Sequence, residues 1–196
     1  MMEWKKCYGA GRMASAAGVL LLAAGCVFTQ ASRHETRFYD LDTPVGAPQR
    51  VISFGMLNNA TPARQRMLYR RTGGQVTPDE YNLWIQSPEQ LLARYWFNMM
   101  PPADGADAEK MLQVRGVLTA FEIDLEHRKV ILGMRYEFVS RGVRRDGALV
   151  CSEPFQEETP EAFAAAFSKC AGRVGRDLLK VGETLTKTGA VPEPVQ

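Results

Sequence analysis

The chain has 196 residues, a mass of 21.8 kDa and a formal net charge of +2, a size suited to one domain or at most two small ones. Hydrophobic residues make up 45% and charged residues 23%, ordinary globular values that exclude a disordered tail, a membrane-embedded bundle or a collagen-like fibre. Lys5, Lys6 and Arg12 against Glu3 account for the whole charge, and from Cys26 onward basic and acidic residues balance, so no clustered positive excess points to nucleic acid as a partner.

Residues 1–25 have the three-part layout of an export signal: a basic start, an uncharged run from Met13 to Gly25 containing Val19-Leu20-Leu21-Leu22, then small residues before Cys26. The run falls short of the roughly 20 apolar residues a helix needs to span a bilayer. Leu22-Ala23-Ala24-Gly25-Cys26 resembles a bacterial lipobox. That likeness implies diacylation of the Cys26 thiol, cleavage before it and an outer-membrane destination, since Val27 rather than Asp follows. Each buried acyl CH₂ contributes about 0.8 kcal/mol, so two or three chains anchor where one would not. The alternative is an ordinary secretory signal with an incidental cysteine.

Residues 26–36 are mixed and without period, a lipidated tether. The expected folded domain runs from 37 to 187. Short strands are predicted at Arg37–Leu41, Arg50–Met56, Met67–Arg71 and Glu80–Ile85, separated by Pro, Gly and Asn breaks. Ser87-Pro88-Glu89-Gln90 then predicts a helix start, with Ser87 as cap and Gln90 completing a capping box. Leu91, Leu92, Tyr95, Trp96, Met99 and Met100 recur at helical spacing until Pro101-Pro102, and 103–107 reads as a loop.

From Val117 the pattern alternates. Val117, Thr119, Phe121, Ile123 and Leu125 form the expected core face, and Leu118, Ala120, Glu122, Asp124 and Glu126 the wet one. A turn at Glu126–Lys129 sends Val130–Phe138 back as the second arm of a hairpin. Arg141-Gly142 and Arg144-Arg145-Asp146-Gly147 predict a further turn, Asp-Gly being a favoured hairpin pair, with a third strand from Ala148 to Phe155. Thr159-Pro160-Glu161 opens a last helix whose stripe of Phe163, Phe167, Cys170, Val174, Leu178, Val181 and Leu185 runs to about Lys187. Residues 188–196 read as a disordered tail. Strands, helix, three strands and helix predict an α+β fold, a two-layer sandwich of a mostly antiparallel sheet with two amphipathic helices on one face.

Little in this pattern points to catalysis. His34 falls in the tether and His127 in a turn, and neither has partners at metal-ligand spacing. Glu122, Asp124 and Glu126 on alternating positions read as a solvated sheet face, with a carboxylate pair for hydrolysis as the sharper alternative. Gly73-Gly74 lacks the lysine and helix of a phosphate loop. Arg64, Arg66, Arg70 and Arg71, and Arg144-Arg145, are two short basic patches. The expectation is no enzyme, no cofactor and no metal. In an oxidising compartment Cys151, in a strand, and Cys170, on the helix stripe, form either a disulfide or two buried reduced thiols; both readings stand. Tyr81 and Trp84 are candidate partner-contact residues, since aromatic anchors are enriched at interfaces, against core packing as the alternative.

The lipobox, Phe38-Tyr39-Asp40-Leu41, Met67-Leu68-Tyr69-Arg70 and above all Tyr81-Asn82-Leu83-Trp84-Ile85-Gln86-Ser87-Pro88-Glu89-Gln90-Leu91-Leu92 resemble the ABC-type transport auxiliary lipoprotein family, the paraquat-inducible protein C-like group, over residues 26–186. The resemblance implies a compact α/β sandwich and a non-enzymatic lipoprotein of the outer membrane, facing the periplasm. It also implies support of lipid movement between the two membranes in a mammalian-cell-entry (MCE) type transport system. The implied partners are the membrane through the Cys26 lipid, MCE-type subunits and further copies of the same chain. The cysteine pair and the loop at 101–107 depart from the family pattern. Rival readings are a lipid-binding carrier with an apolar cavity, an envelope hydrolase using Glu122 or Asp124, and a structural envelope lipoprotein.

Overall fold

The computed structural model describes residues 34–42, 52–101, 111–140 and 143–187. The expectations for the signal, Cys26, most of the tether, the loop at 103–107, the Arg141-Gly142 turn and the tail fall outside these residues. The chain divides into residues 1–35 and 36–196, and all the described strands and helices belong to the second unit.

The described residues form seven strands and two helices in the order β1 (Arg37–Tyr39), β2 (Ile52–Asn59), β3 (Arg66–Arg70), β4 (Val76–Trp84), α1 (Pro88–Met99), β5 (Leu112–Asp124), β6 (Lys129–Ser140), β7 (Val143–Pro154) and α2 (Pro160–Lys187), with one 3-10 turn at Thr72–Gly74. All strands join one sheet in the order β1-β4-β3-β5-β6-β7, with β2 paired to β5 beside β3. The long ladders β5/β6 and β6/β7 are antiparallel, as is β3/β4. The pairs β1/β4, β2/β5 and β3/β5 are parallel. The fold is an open α+β sandwich, as the element pattern predicts.

β5 is the hub. Its first half pairs with β2, from Leu112 opposite Ile52 to Leu118 opposite Asn59, and its end pairs with β3, with Ile123 opposite Tyr69. The expected alternation holds on it only after a slip. Leu118 lies opposite Met134 and Ala120 opposite Gly133, so Thr119 is an extra residue in the ladder. Such a bulge resets which face each side chain takes. The core face is therefore Leu112, Val114, Leu118, then Phe121 and Ile123, while Thr119 is exposed and Val117 half-buried. Leu118 is a core residue, contrary to the straight alternation.

Asp146-Gly147 is not a turn either. β7 begins at Val143 and runs through it, with Gly147 opposite Tyr136 and Asp146 opposite Glu137. A Cβ at 147 would lie 2.4 Å from the Tyr136 hydroxyl. The glycine makes room for a cross-strand ring, so its backbone freedom is not what the position uses.

One core joins the layers. The last helix presents its predicted stripe, with Phe163, Phe167, Cys170, Val174 and Leu178 buried. Phe167 stacks on Phe121, ring centroids 4.0 Å apart at 17°. The two helices meet where the Trp96 indole N–H donates to the Ala171 carbonyl at 2.8 Å. Trp96 also stacks on Phe54 of β2 at 5.3 Å. Pro88 stands in the first turn of α1 as predicted, but the capping box does not form. Ser87 gives no side-chain cap; its hydroxyl donates to the Glu89 carboxylate instead.

Candidate functional site

Trp84 closes β4 and enters the core. It is 0% exposed, edge-on to Phe121 at 5.3 Å and to Phe167 at 5.5 Å. Its backbone N–H donates to the Gln65 carbonyl at 2.7 Å, and its indole nitrogen has no hydrogen-bond partner. This corrects its candidacy as a contact residue, because a side chain sealed between three elements presents nothing to a partner. Tyr81 is 40% exposed and keeps an outward position.

What holds Tyr81 there is Asp79, a residue that no sequence motif singles out. Its Oδ1 accepts the backbone N–H of Tyr81 at 2.8 Å and of Asn82 at 2.9 Å. Its Oδ2 accepts the Tyr69 hydroxyl and the Asn82 side-chain N–H, each at 2.8 Å. Burial raises the carboxyl pKa, but the Asn82, Tyr81 and Tyr69 donors outweigh it and hold Asp79 below its ordinary value. Burial, then the hydrogen bond and charge of Asp79, push the Tyr69 hydroxyl far up. The β3/β4 register slips here: Arg66 faces Leu83, while Leu68 faces Pro78. Residues 79–82 therefore bulge around one carboxylate. The one local signal is an aspartate two and three residues before backbone donors, the spacing of an Asx turn.

The acidic row is not a wet face. Arg70 grips Glu122 through Nε to Oε1 and a second guanidinium nitrogen to Oε2, both at 2.8 Å. Asp124 is 4% exposed; its carboxylate takes the His127 backbone N–H at 3.0 Å and the His127 Nδ1 at 2.8 Å. Burial opposes its charge, and the His127 contacts, helped by Lys129, leave its pKa lowered. These pairs pin the β5/β6 turn to β3, and of the three carboxylates in the row Glu126 alone is exposed. Among the described residues no group of three or more His, Cys, Asp and Glu could hold a metal.

The helix-free face of the sheet carries an open groove of about 640 Å³ between β2, β5, β6 and the start of β7. Met56, Gln113, Arg115, Val117, Arg135, Glu137 and Arg144 line it. Strand period 2 brings them together, because these positions alternate with Leu57, Val114, Met134 and Phe138, which pack into the core. Met56 is 68% exposed. Arg115 Nε donates to Gln113 Oε1 at 2.9 Å, and Arg144 pairs with Glu137. The groove offers apolar contact flanked by three guanidinium groups.

On the opposite side α1 packs closely on the sheet. The cavity between α1 and the sheet, lined by Phe54, Leu57, Trp96, Val114, Met134 and Leu178 among others, measures about 10 Å³, hardly the space of one water. Deeper along this layer Cys151 of β7 meets Cys170 of α2. Both are buried free thiols, near enough for each to shift the other's pKa. The strand and helix expected to carry them are the ones that bring them together. Among the described residues no helix is long and apolar enough to cross a membrane.

No family model and no curated protein matches the sequence. Solved structures share its fold. An uncharacterized protein superposes with a TM-score of 0.62 at 10% identity, covering 74% of this chain and 97% of that one. Protein XCC0632 from Xanthomonas campestris, described by the family model DUF330, superposes with a TM-score of 0.61 at 16% identity, covering 79% of this chain and 98% of that one. At such identities the likeness shows the fold: the whole neighbour is this sandwich.

Proposed function

We propose that the chain is a non-enzymatic auxiliary lipoprotein of an ABC/MCE-type transport system, anchored by lipid at Cys26 in the outer membrane and facing the periplasm. In this reading it supports lipid transport between the membranes by docking to transporter subunits. The observation that carries the docking role is the open groove on the outer face, set against the close packing of α1 on the sheet. A lipid carrier needs an apolar cavity of some 300 Å³ or more, and the space between α1 and the sheet is about 10 Å³. The open face instead offers a 640 Å³ groove with exposed Met56 and three arginines, a shape suited to holding another surface. The lipobox at 22–26 and the Tyr81–Leu92 segment support the anchor and the system.

The test is crosslinking in cells from a photoreactive residue at Met56 or Arg135 of the full lipoprotein, with mass spectrometry of the adducts. MCE-type subunits captured from either position support the reading. Phospholipid alone replaces it with the carrier, and no adduct from these positions or from Tyr81 replaces it with a structural envelope role. Cys26→Ala in the same cells releases the protein from membranes; a variant that stays membrane-bound overturns the anchor.

A further inference from the structure

The seam between β7 and α2 holds a second piece of chemistry. Cys151 sits on the helix-facing side of β7, two residues before Glu153, and Cys170 faces it from the middle of α2. Glu153 is clamped by Lys169 at 3.8 Å and by Arg173 at 2.8 Å, the residues one position before and three after Cys170. The charged clamp fixes strand against helix where the sulfurs meet. Among the described residues β7 pairs only with β6 and its other edge carries no ladder, and Val150 beside Cys151 is 75% exposed.

From this geometry we infer that Cys151 and Cys170 are a dithiol–disulfide couple, closed by exchange with a small disulfide of the glutathione class, with Cys151 as the attacking sulfur and Cys170 as the resolving one. The Cys151 thiolate attacks one sulfur of the oxidant, breaking its S–S bond. A mixed disulfide forms and one glutathione thiolate leaves. Cys170 gives up its proton, its sulfur attacks the Cys151 sulfur, and the second glutathione thiolate is expelled. The cysteines lose two protons and two electrons, which the two released glutathione thiols carry.

The order of attack has structural causes. Cys151 is the less buried of the two and lies on an edge strand that opens by breaking one ladder, whereas Cys170 is fully enclosed in a helix. The neighbouring Cys170 thiol, against burial and with help from Arg173, lowers the Cys151 pKa. The Cys151 sulfur and burial raise that of Cys170. The couple depends on β7 and α2 packing alone and stands whether or not the chain is exported and lipidated.

The experiment exposes the purified full chain to a series of reduced-to-oxidised glutathione ratios, quenches with acid, alkylates under denaturing conditions and maps unreduced peptides by mass spectrometry. The expected result is a Cys151–Cys170 linked peptide that becomes dominant as the mixture turns oxidising, with a melting midpoint raised by roughly 5–10 °C. Cys170→Ser accumulates glutathione on Cys151, and Cys151→Ser leaves Cys170 unmodified. The inference is overturned if both wild-type thiols remain alkylatable in the most oxidising mixture, or if Cys170 takes up glutathione first. The wild-type map decides this even where a serine variant fails to fold.

Discussion

Gly182 of α2 lies against Ile52 of β2 so closely that a Cβ on the glycine would stand 2.3 Å from the Ile52 Cγ2. Ile52 is itself 0% exposed, pinned on a strand with nowhere to retreat. Replacing a helical glycine by alanine ordinarily gains about 1 kcal/mol, but overpacking a filled core costs about 1–3 kcal/mol. Gly182→Ala is expected to lower stability by about 1–2 kcal/mol in urea unfolding. Ile52→Leu, which removes the γ2 branch, should make the double variant less damaged than the two single losses added together. Additive losses would show that the two residues do not compete for this space.

Trp84→Ala empties the centre of the Phe121 and Phe167 cluster and should cost about 3–5 kcal/mol. Trp84→Phe is expected to cost clearly less, because the indole N–H it removes is buried without a partner. Tyr81→Ala, at an outward position, should change stability by no more than about 0.5 kcal/mol. Thermal melts of the three variants check the order, and a Trp84→Ala protein as stable as Tyr81→Ala would contradict the burial of the indole.

Asp79 and Asp124 both have folded pKa values below the unfolded one of about 3.9. A carboxylate so depressed contributes stability that is complete above the unfolded value and is lost as pH falls through the folded one. Stability is therefore expected to hold down to about pH 5 and to decline below about pH 4. Asp79→Asn and Asp124→Asn should each flatten that decline. At neutral pH Asp79→Ala is expected to cost about 1–3 kcal/mol, since it strands the Tyr69 hydroxyl and Asn82 donors, and Asp79→Asn less because one oxygen remains. Equal acid slopes in wild type and variants would count against this account.

Deleting Thr119 leaves Leu118 and Phe121 two positions apart, so a β5 without the bulge still turns both toward the helices, and Leu118 and Ala120 keep their consecutive partners Met134 and Gly133. The expected outcome is a cooperative unfolding transition that survives the deletion. Thr119→Ala keeps the bulge and should stay within about 1 kcal/mol of wild type. Circular dichroism melts check both, and loss of the cooperative transition on deletion would contradict this register.

Much of this architecture is legible in the sequence wherever a period is long. The α2 stripe is visible because Phe163, Phe167, Cys170, Val174 and Leu178 repeat without interruption, and the β5/β6 hairpin because its alternation spans many residues. Three features are not. The bulge at Thr119 is one residue in an otherwise regular pattern, and a polar residue on a predicted core face is its one trace. The parallel pairing of β2 with β5 joins strands more than fifty residues apart and has no local signature. Gly147 resembles a turn because Asp-Gly commonly is one, while its actual use depends on Tyr136 across the ladder. Asp79 and the groove share this difficulty, since each is assembled from residues whose neighbours in space are distant in sequence. The cysteine pair is legible to the level of strand and helix, and their meeting is not.

The central aromatic cluster also governs when the chain can fold. Trp84 and Phe121 come from the middle of the sequence, yet Phe167 between them belongs to the final helix, and that helix must extend to Gly182 to cover Ile52. Any process that passes this polypeptide N-terminus first, whether a ribosome or a translocation pore, releases the seven described strands before the helix that covers their apolar side. The core around Trp84 and Phe121 therefore closes only once α2 is available, and the helix sets when the sheet is sealed as well as walling its core.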